Sequence, residues 1–175
     1  AAVQGGEIGK VFFARAWYTS RRLSIGRGKP APLPEGLNYT LWQGPAPERP
    51  YLDNLIPYNW HWRWHWGTSE LGNNAVHGLD LARWGLGVDY PLRVTCGGNR
   101  YHFQDDWEMP DVCVATYDFG RCAIVFESQS CDPGGFEGLT FGVSFFGEKG
   151  VLQIGNGSYK VFDLSNKLVR TGLGE

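Results

Sequence analysis

Between Asn59 and Gly87 the chain reads NWHWRWHWGTSELGNNAVHGLDLARWGLG, a stretch that holds three of the four histidines. On a helix of about 3.6 residues per turn, Asn73, His77, Asp80 and Trp84 fall on one narrow stripe. A histidine placed there can act as a general acid or base or hold a hydroxyl, and an amide one turn away can orient it. His77 and Asn73 are therefore the candidate catalytic residues, facing a hydroxylated ligand. The plainer alternative is a solvated helix-surface histidine, and periodicity alone does not separate the two.

Just upstream, Trp60, Trp62, Trp64 and Trp66 alternate with His61, Arg63 and His65. Read as a strand, this run carries indoles on one face and cationic or polar groups on the other. Four indoles in a row suit a ligand or subunit surface, with a tryptophan-cored strand as the alternative. His61, His65 and His77 raise the question of a metal, but an i,i+4 pair binds zinc only on a helix. The extended reading parts those two, and no acid completes a triad, so no metal is assigned. Asp118-Phe119-Gly120 matches a kinase tripeptide by chance, in a turn context. No GxGxxG, P-loop or GxSxG is present, and the GRG at 26–28 runs into Lys29-Pro30, so no nucleotide site is expected in this chain.

The elements that must position these groups follow from pattern. Ala75, Leu79, Ala82 and Leu86 form the apolar back of the Asn73–Leu86 helix. Lys10–Tyr18 is the first strand. Ser24–Pro57 holds seven of the ten prolines with Trp42, Tyr51, Leu55 and Ile56 among them, the mark of an ordered binding loop or subunit arm. A meander of short strands is expected after the helix. Leu92–Cys96 and Arg100–Phe103 flank Gly97-Gly98, and Val112–Phe119 and Cys122–Glu127 flank Gly120-Arg121. Gly142–Phe146 and Val151–Ile154 flank GEKG, and Asn156-Gly157 turns into Ser158–Phe162. The order predicts an α+β fold: an open, largely antiparallel or mixed sheet with helices on one face and no Rossmann domain.

At 175 residues, 42% hydrophobic and 15% aromatic, the chain suits one domain with a real core. A net charge of −2 gives no case for nucleic acid or an anionic membrane. No apolar run approaches the roughly 20 residues that span a bilayer. Cys96, Cys113, Cys122 and Cys131 lack metal spacing and are expected as reduced thiols of a cytoplasm-like compartment, a Cys113–Cys122 bridge being the less favoured option. The Gly-rich opening GGEIGK sets the domain start at the first residues, which suggests that something N-terminal has been cut away.

LGNNAVHGLDLARWGLG resembles the signature helix of the glucose–fructose oxidoreductase / inositol dehydrogenase (Gfo/Idh/MocA) family, on which His77, Asp80, Trp84 and Gly87 fall without gaps. GEIGKV resembles the start of that family's C-terminal domain, and FGEKGVLQI its late hairpin. LWQGPAPERPY and NWHWRWHWG resemble a bacterial subgroup with a Trp-rich insertion, here about 24–66. The resemblance implies a single substrate-binding and oligomerisation domain over 1–175, with a dihydrodipicolinate-reductase-like or glyceraldehyde-phosphate-dehydrogenase-like fold. It implies NAD or NADP bound by an absent N-terminal nucleotide domain, and hydride transfer assisted by a lysine of that domain. Lys29-Pro30 is not that lysine, since it lies in the loop after the first strand.

One position departs from the family pattern: the helix Asp is Asn73, and an amide cannot accept a proton at neutral pH. The reading that results is the substrate domain of an NAD(P)-dependent oxidoreductase acting on a sugar or polyol, inactive as a fragment. His77 works on the carbinol hydroxyl and Asn73 orients it. Arg15 and Arg63 are expected to contact hydroxyls or a carboxylate, and Trp62, Trp64, Trp66 and Trp84 to stack on or line the sugar. A homo-oligomer is expected through the open sheet face, with the arm over a partner or along the cleft. Two alternatives stand: a non-catalytic carbohydrate-binding or assembly domain, and an NAD-dependent glycoside-cleaving relative. The location implied is cytoplasmic, or periplasmic if an export signal lies upstream.

Overall fold

The computed structural model describes residues 2–132 and 134–174. Eight strands form one sheet in the order β2-β3-β4-β1-β5-β6-β7-β8. They are β1 Val11–Thr19, β2 Arg93–Asn99, β3 Val112–Asp118, β4 Ala123–Gln129, β5 Phe141–Gly147, β6 Gly150–Gly155, β7 Ser158–Asp163 and β8 Leu168–Leu173. β1 and β4 run parallel, joined by the long connection that carries the arm and the helix, and the other neighbours are antiparallel. The expected open mixed sheet is therefore present, without a Rossmann unit. Among the described residues no helix is long and apolar enough to cross a membrane.

The sheet is sided by strand alternation. Ala14 and Ala16 of β1, Ile124 and Phe126 of β4, and Val143 and Phe145 of β5 are fully or almost fully buried under α2 (Val76–Leu86). The expected back of that helix is the packed side: Ala75, Ala82 and Leu86 are buried and Leu79 is half-buried. Two glycines set how closely it sits. A Cβ on Gly78 would come 3.2 Å from the Ala16 Cβ, and one on Gly85 would come 2.3 Å from the Phe145 ring. α2 ends where the sequence indicates, on Gly87 in the left-handed conformation, and Arg121 donates to the Leu86 and Gly87 carbonyls.

The second sheet face is mixed rather than apolar throughout. Phe13 and Phe146 pack at 5.3 Å beside the Arg15–Glu127 ion pair, and Glu137 accepts from Ser144 at 2.7 Å and from Gln153.

Two local readings change. Gly97 and Gly98 lie inside β2, which pairs with β3, so no strand forms over 100–103. Two glycines look like a turn, but β3 supplies a partner for every residue of β2. β8 is a strand whose mixed LVRTGL sequence carries no alternation signal. Cys113 meets Cys96 across the β2–β3 pair, Sγ to Sγ at 3.2 Å, and not Cys122; all four cysteines are free thiols. Burial and the Cys96 contact push the Cys113 thiol up to about 12.

The Pro-rich arm packs against its own chain. It holds one helical turn, α1 (Tyr39–Gln43), capped by Asn38, and a bridge between Pro30 and Leu52. Against it packs the 100–111 loop, where Trp62, Trp107 and Met109 form a second small core with Ile25. Asp105 and Asp106 fasten the two together. Asp105 accepts from Ser24, Ile25, Arg100 and Trp107, and Asp106 from Gly28, Asn54 and Arg63. Burial raises both carboxyls, but these donors outweigh it and hold both below the ordinary carboxylate value.

Candidate functional site

A single turn of π-helix, Leu71–Ala75, leads into α2. Such turns occur often at functional sites, because the wider ring re-aims the side chains it carries. Here it carries Asn73, so Asn73 does not follow the 3.6-residue stripe that His77, Asp80 and Trp84 share on α2. All four side chains are exposed. Trp84, 68% exposed, borders a shallow open cleft with Gln4, Asp80, Arg83, Val88 and Asp89.

What fixes the π-turn is a cluster invisible to pattern. Glu70, 1% exposed, accepts from Arg22 Nε at 3.0 Å and from the Asn74 amide. Arg22 also donates to the Tyr58 and Tyr18 hydroxyls at 3.0 and 3.1 Å. Burial opposes the Arg22 charge, but Glu70 and the two tyrosines more than offset it and its pKa rises. A strand end, the arm and the helix entry thus meet at one carboxylate. Beside it, His61 is buried, with Nδ1 at 2.5 Å from the Tyr58 carbonyl and Nε2 unpartnered among the described residues. Burial, opposed by the Tyr58 contact and reinforced by Arg22, lowers the His61 pKa, so the ring is neutral near pH 7 and Nδ1–H donates.

The other expected site residues do not gather around His77. Arg15 projects from the opposite sheet face, since residues 14 and 16 point to α2; it donates to Glu127 at 2.9 Å and lies 4.5 Å over the Phe136 ring. The Trp run is not a strand. A 3-10 turn over Asn59–Trp62, followed by further turns, sends each indole a different way. Trp62, 1% exposed, stacks on Trp107 at 3.7 Å and serves the small core. Trp64 is 66% exposed, while Trp66 is half-buried against Trp42. Arg63 is buried and donates to Asn54 at 2.9 Å and Asp106 at 3.0 Å. Alternation in sequence suggested a sugar-stacking platform, but the turn removes the common face. Among the described residues no three His, Cys, Asp or Glu side chains assemble to hold a metal ion.

Residues 15–136 match the model of the Gfo/Idh/MocA oxidoreductase family, C-terminal alpha/beta domain. No curated protein matches the sequence. Among solved structures, the chain is similar to an NAD-binding oxidoreductase from Klebsiella pneumoniae (17% identity, TM-score 0.62, 99% of this chain and 42% of that one). It is similar to levoglucosan dehydrogenase in complex with NADH and levoglucosan (15%, TM-score 0.64, 98% and 42%). A third is the WlbA dehydrogenase from Bordetella pertussis in complex with NADH and UDP-GlcNAcA (15%, TM-score 0.56, 99% and 41%). At these identities the likeness establishes the fold, and the chain spans about two fifths of each of these structures.

Proposed function

Since the chain belongs to the Gfo/Idh/MocA oxidoreductase family, as its C-terminal alpha/beta domain, we propose that it is the substrate-binding domain of an NAD(P)-dependent oxidoreductase acting on a sugar or polyol hydroxyl. The observation that carries this reading is an unencumbered imidazole, His77, two residues beyond a π-turn that a buried ion pair fixes in place. His77 takes the proton from the carbinol oxygen as the alcohol is oxidised, and Asn73 hydrogen-bonds the same or the neighbouring hydroxyl. An amide does not accept a proton at neutral pH, so His77 rather than Asn73 is assigned as the proton acceptor. Trp84 offers an exposed indole to one side of the substrate.

The cofactor does not fit this chain. Among the described residues no strand passes through a Gly-rich turn into a helix N-terminus, the arrangement that cradles a dinucleotide pyrophosphate. This supports the reading that NAD(P) is bound by another part of the full-length protein. The sugar class draws support from levoglucosan dehydrogenase and the WlbA dehydrogenase, whose structures hold levoglucosan and UDP-GlcNAcA. The Phe13–Phe146 pair, on the sheet face opposite α2 that residues 136–139 cover only in part, supports pairing of two copies through that face.

The test is direct: full-length protein is incubated with NAD⁺ or NADP⁺ and a panel of polyols and aldoses, and reduced nicotinamide is followed by absorbance. Reduction with at least one substrate is expected. Folded protein that reduces neither cofactor with any of them overturns the reading in favour of a non-catalytic carbohydrate-binding domain, which Asn73 in place of an acid would suit.

A further inference from the structure

Cys96 and Cys113 face each other across the β2–β3 pair as free thiols, Sγ to Sγ at 3.2 Å. In the register of these strands Cys96 lies opposite Ala115 and Cys113 opposite Gly98, so the two cysteines are diagonal neighbours on one sheet face. Gly98 has no side chain to stand between them and no room for one: a Cβ there would come 2.3 Å from the Val112 carbonyl oxygen. Among the described residues neither Cys122 nor Cys131 meets another thiol.

The two thiols differ in access. β2 is an edge strand that packs on β3 alone, and every residue of it is exposed, Cys96 included. Cys113 is 3% exposed, and burial and the Cys96 contact hold its proton. A reagent arriving from solvent therefore meets Cys96 first. A disulfide sets its sulfurs about 2.05 Å apart, so bonding needs roughly 1 Å of further approach, which a strand held on one side can supply. The chain between the two cysteines carries the 100–111 loop, whose Asp105 and Asp106 fasten the arm.

We propose that Cys96 and Cys113 are a disulfide-forming pair, oxidised by small-molecule disulfides, whose bond closes the base of the 100–111 loop. The Cys96 thiolate attacks one sulfur of the reagent, forming a mixed disulfide and expelling one thiolate. Cys113 then releases its proton to solvent and attacks Cys96 Sγ, which forms the protein S–S bond and expels the second thiolate. The pair loses two electrons and two protons, and the reagent is reduced to two thiols. The inference does not rest on the oxidoreductase reading.

Reduced full-length protein, kept folded, is incubated in glutathione buffers of rising oxidised fraction and quenched with acid. Free thiols are then alkylated in denaturant, and the peptides are mapped by mass spectrometry. The Cys96 and Cys113 peptides should appear joined, with two fewer alkylated thiols, and dithiothreitol should restore both. Cys122 and Cys131 should stay alkylated. Cys113→Ala should stop at one glutathione on Cys96, and Cys96→Ser should leave Cys113 unoxidised. Three results would overturn the proposal in the parent protein: a Cys96–glutathione adduct that never passes to Cys113, a bond between other cysteines, or no oxidation in the most oxidised buffer. Oxidation of Cys113 in Cys96→Ser would overturn the order of attack.

Discussion

Removing the Glu70 carboxylate should loosen the entry to α2 more than any other single polar change in this region. In Glu70→Ala, Arg22 loses its charged partner and the Asn74 amide loses its acceptor. Glu70 is 1% exposed and Arg22 22%, so solvent screens little of the pair. Leaving one member of a buried ion pair behind costs about 3–5 kcal/mol. Arg22 keeps the Tyr18 and Tyr58 hydroxyls and some water, which puts the expected loss at the low end, about 3 kcal/mol. With a urea slope of about 2 kcal/mol per molar, the unfolding midpoint should fall by about 1.5 M. Arg22→Met added to Glu70→Ala should recover part of the loss, since the stranded charge goes with it. A midpoint within about 0.3 M of the parent, in a two-state urea melt, would refute the view that this pair fixes the π-turn.

Three further outcomes follow from the packing. Gly85→Ala puts a methyl 2.3 Å from the buried Phe145 ring and should cost about 1–3 kcal/mol, read as a lowered Tm; an unchanged Tm would mean that α2 sits farther from β5 than described. His61 has a lowered pKa, so below its ordinary value near 6.5 the unfolded chain binds a proton that the folded chain refuses. Stability should hold above about pH 6.5, fall as the pH drops toward 5, and fall less steeply in His61→Gln; identical slopes would remove His61 as the cause. Phe146→Asp places a charge on the sheet face opposite α2 and should halve the mass seen by light scattering if two copies pair there, whereas a monomeric parent at tens of micromolar contradicts the pairing.

The parts of the fold that were legible share one property: a local period tied to burial. α2 showed its back through Ala75, Leu79, Ala82 and Leu86, and its end through Gly87. β4 alternates visibly because one face packs under α2 and the other does not. The Trp run shows how a period misleads. Its strict alternation fits a strand, but the turn after Tyr58 and the pull of Trp107 on Trp62 decide the backbone, and Trp107 lies 45 residues away. The candidate site divides in the same way. His77 stood out because helix spacing and residue type coincide, and the resemblance to a known family reinforced it. Glu70 and Arg22 gave no signal, being 48 residues apart and joined only by the folded arm. Arg15 was misplaced because a sequence does not say which side of a strand faces the helix until its neighbours are known.

The most direct test of the central claim is the turnover of His77→Ala in the full-length protein, with its reducible cofactor and a responding sugar or polyol. If His77 is the proton acceptor, kcat should fall roughly 100-fold or more while the urea midpoint stays at the parental value, because the residue is exposed and takes no part in the core. Turnover within about twofold of the parent would contradict the account and leave His77 as a solvated residue on the helix surface.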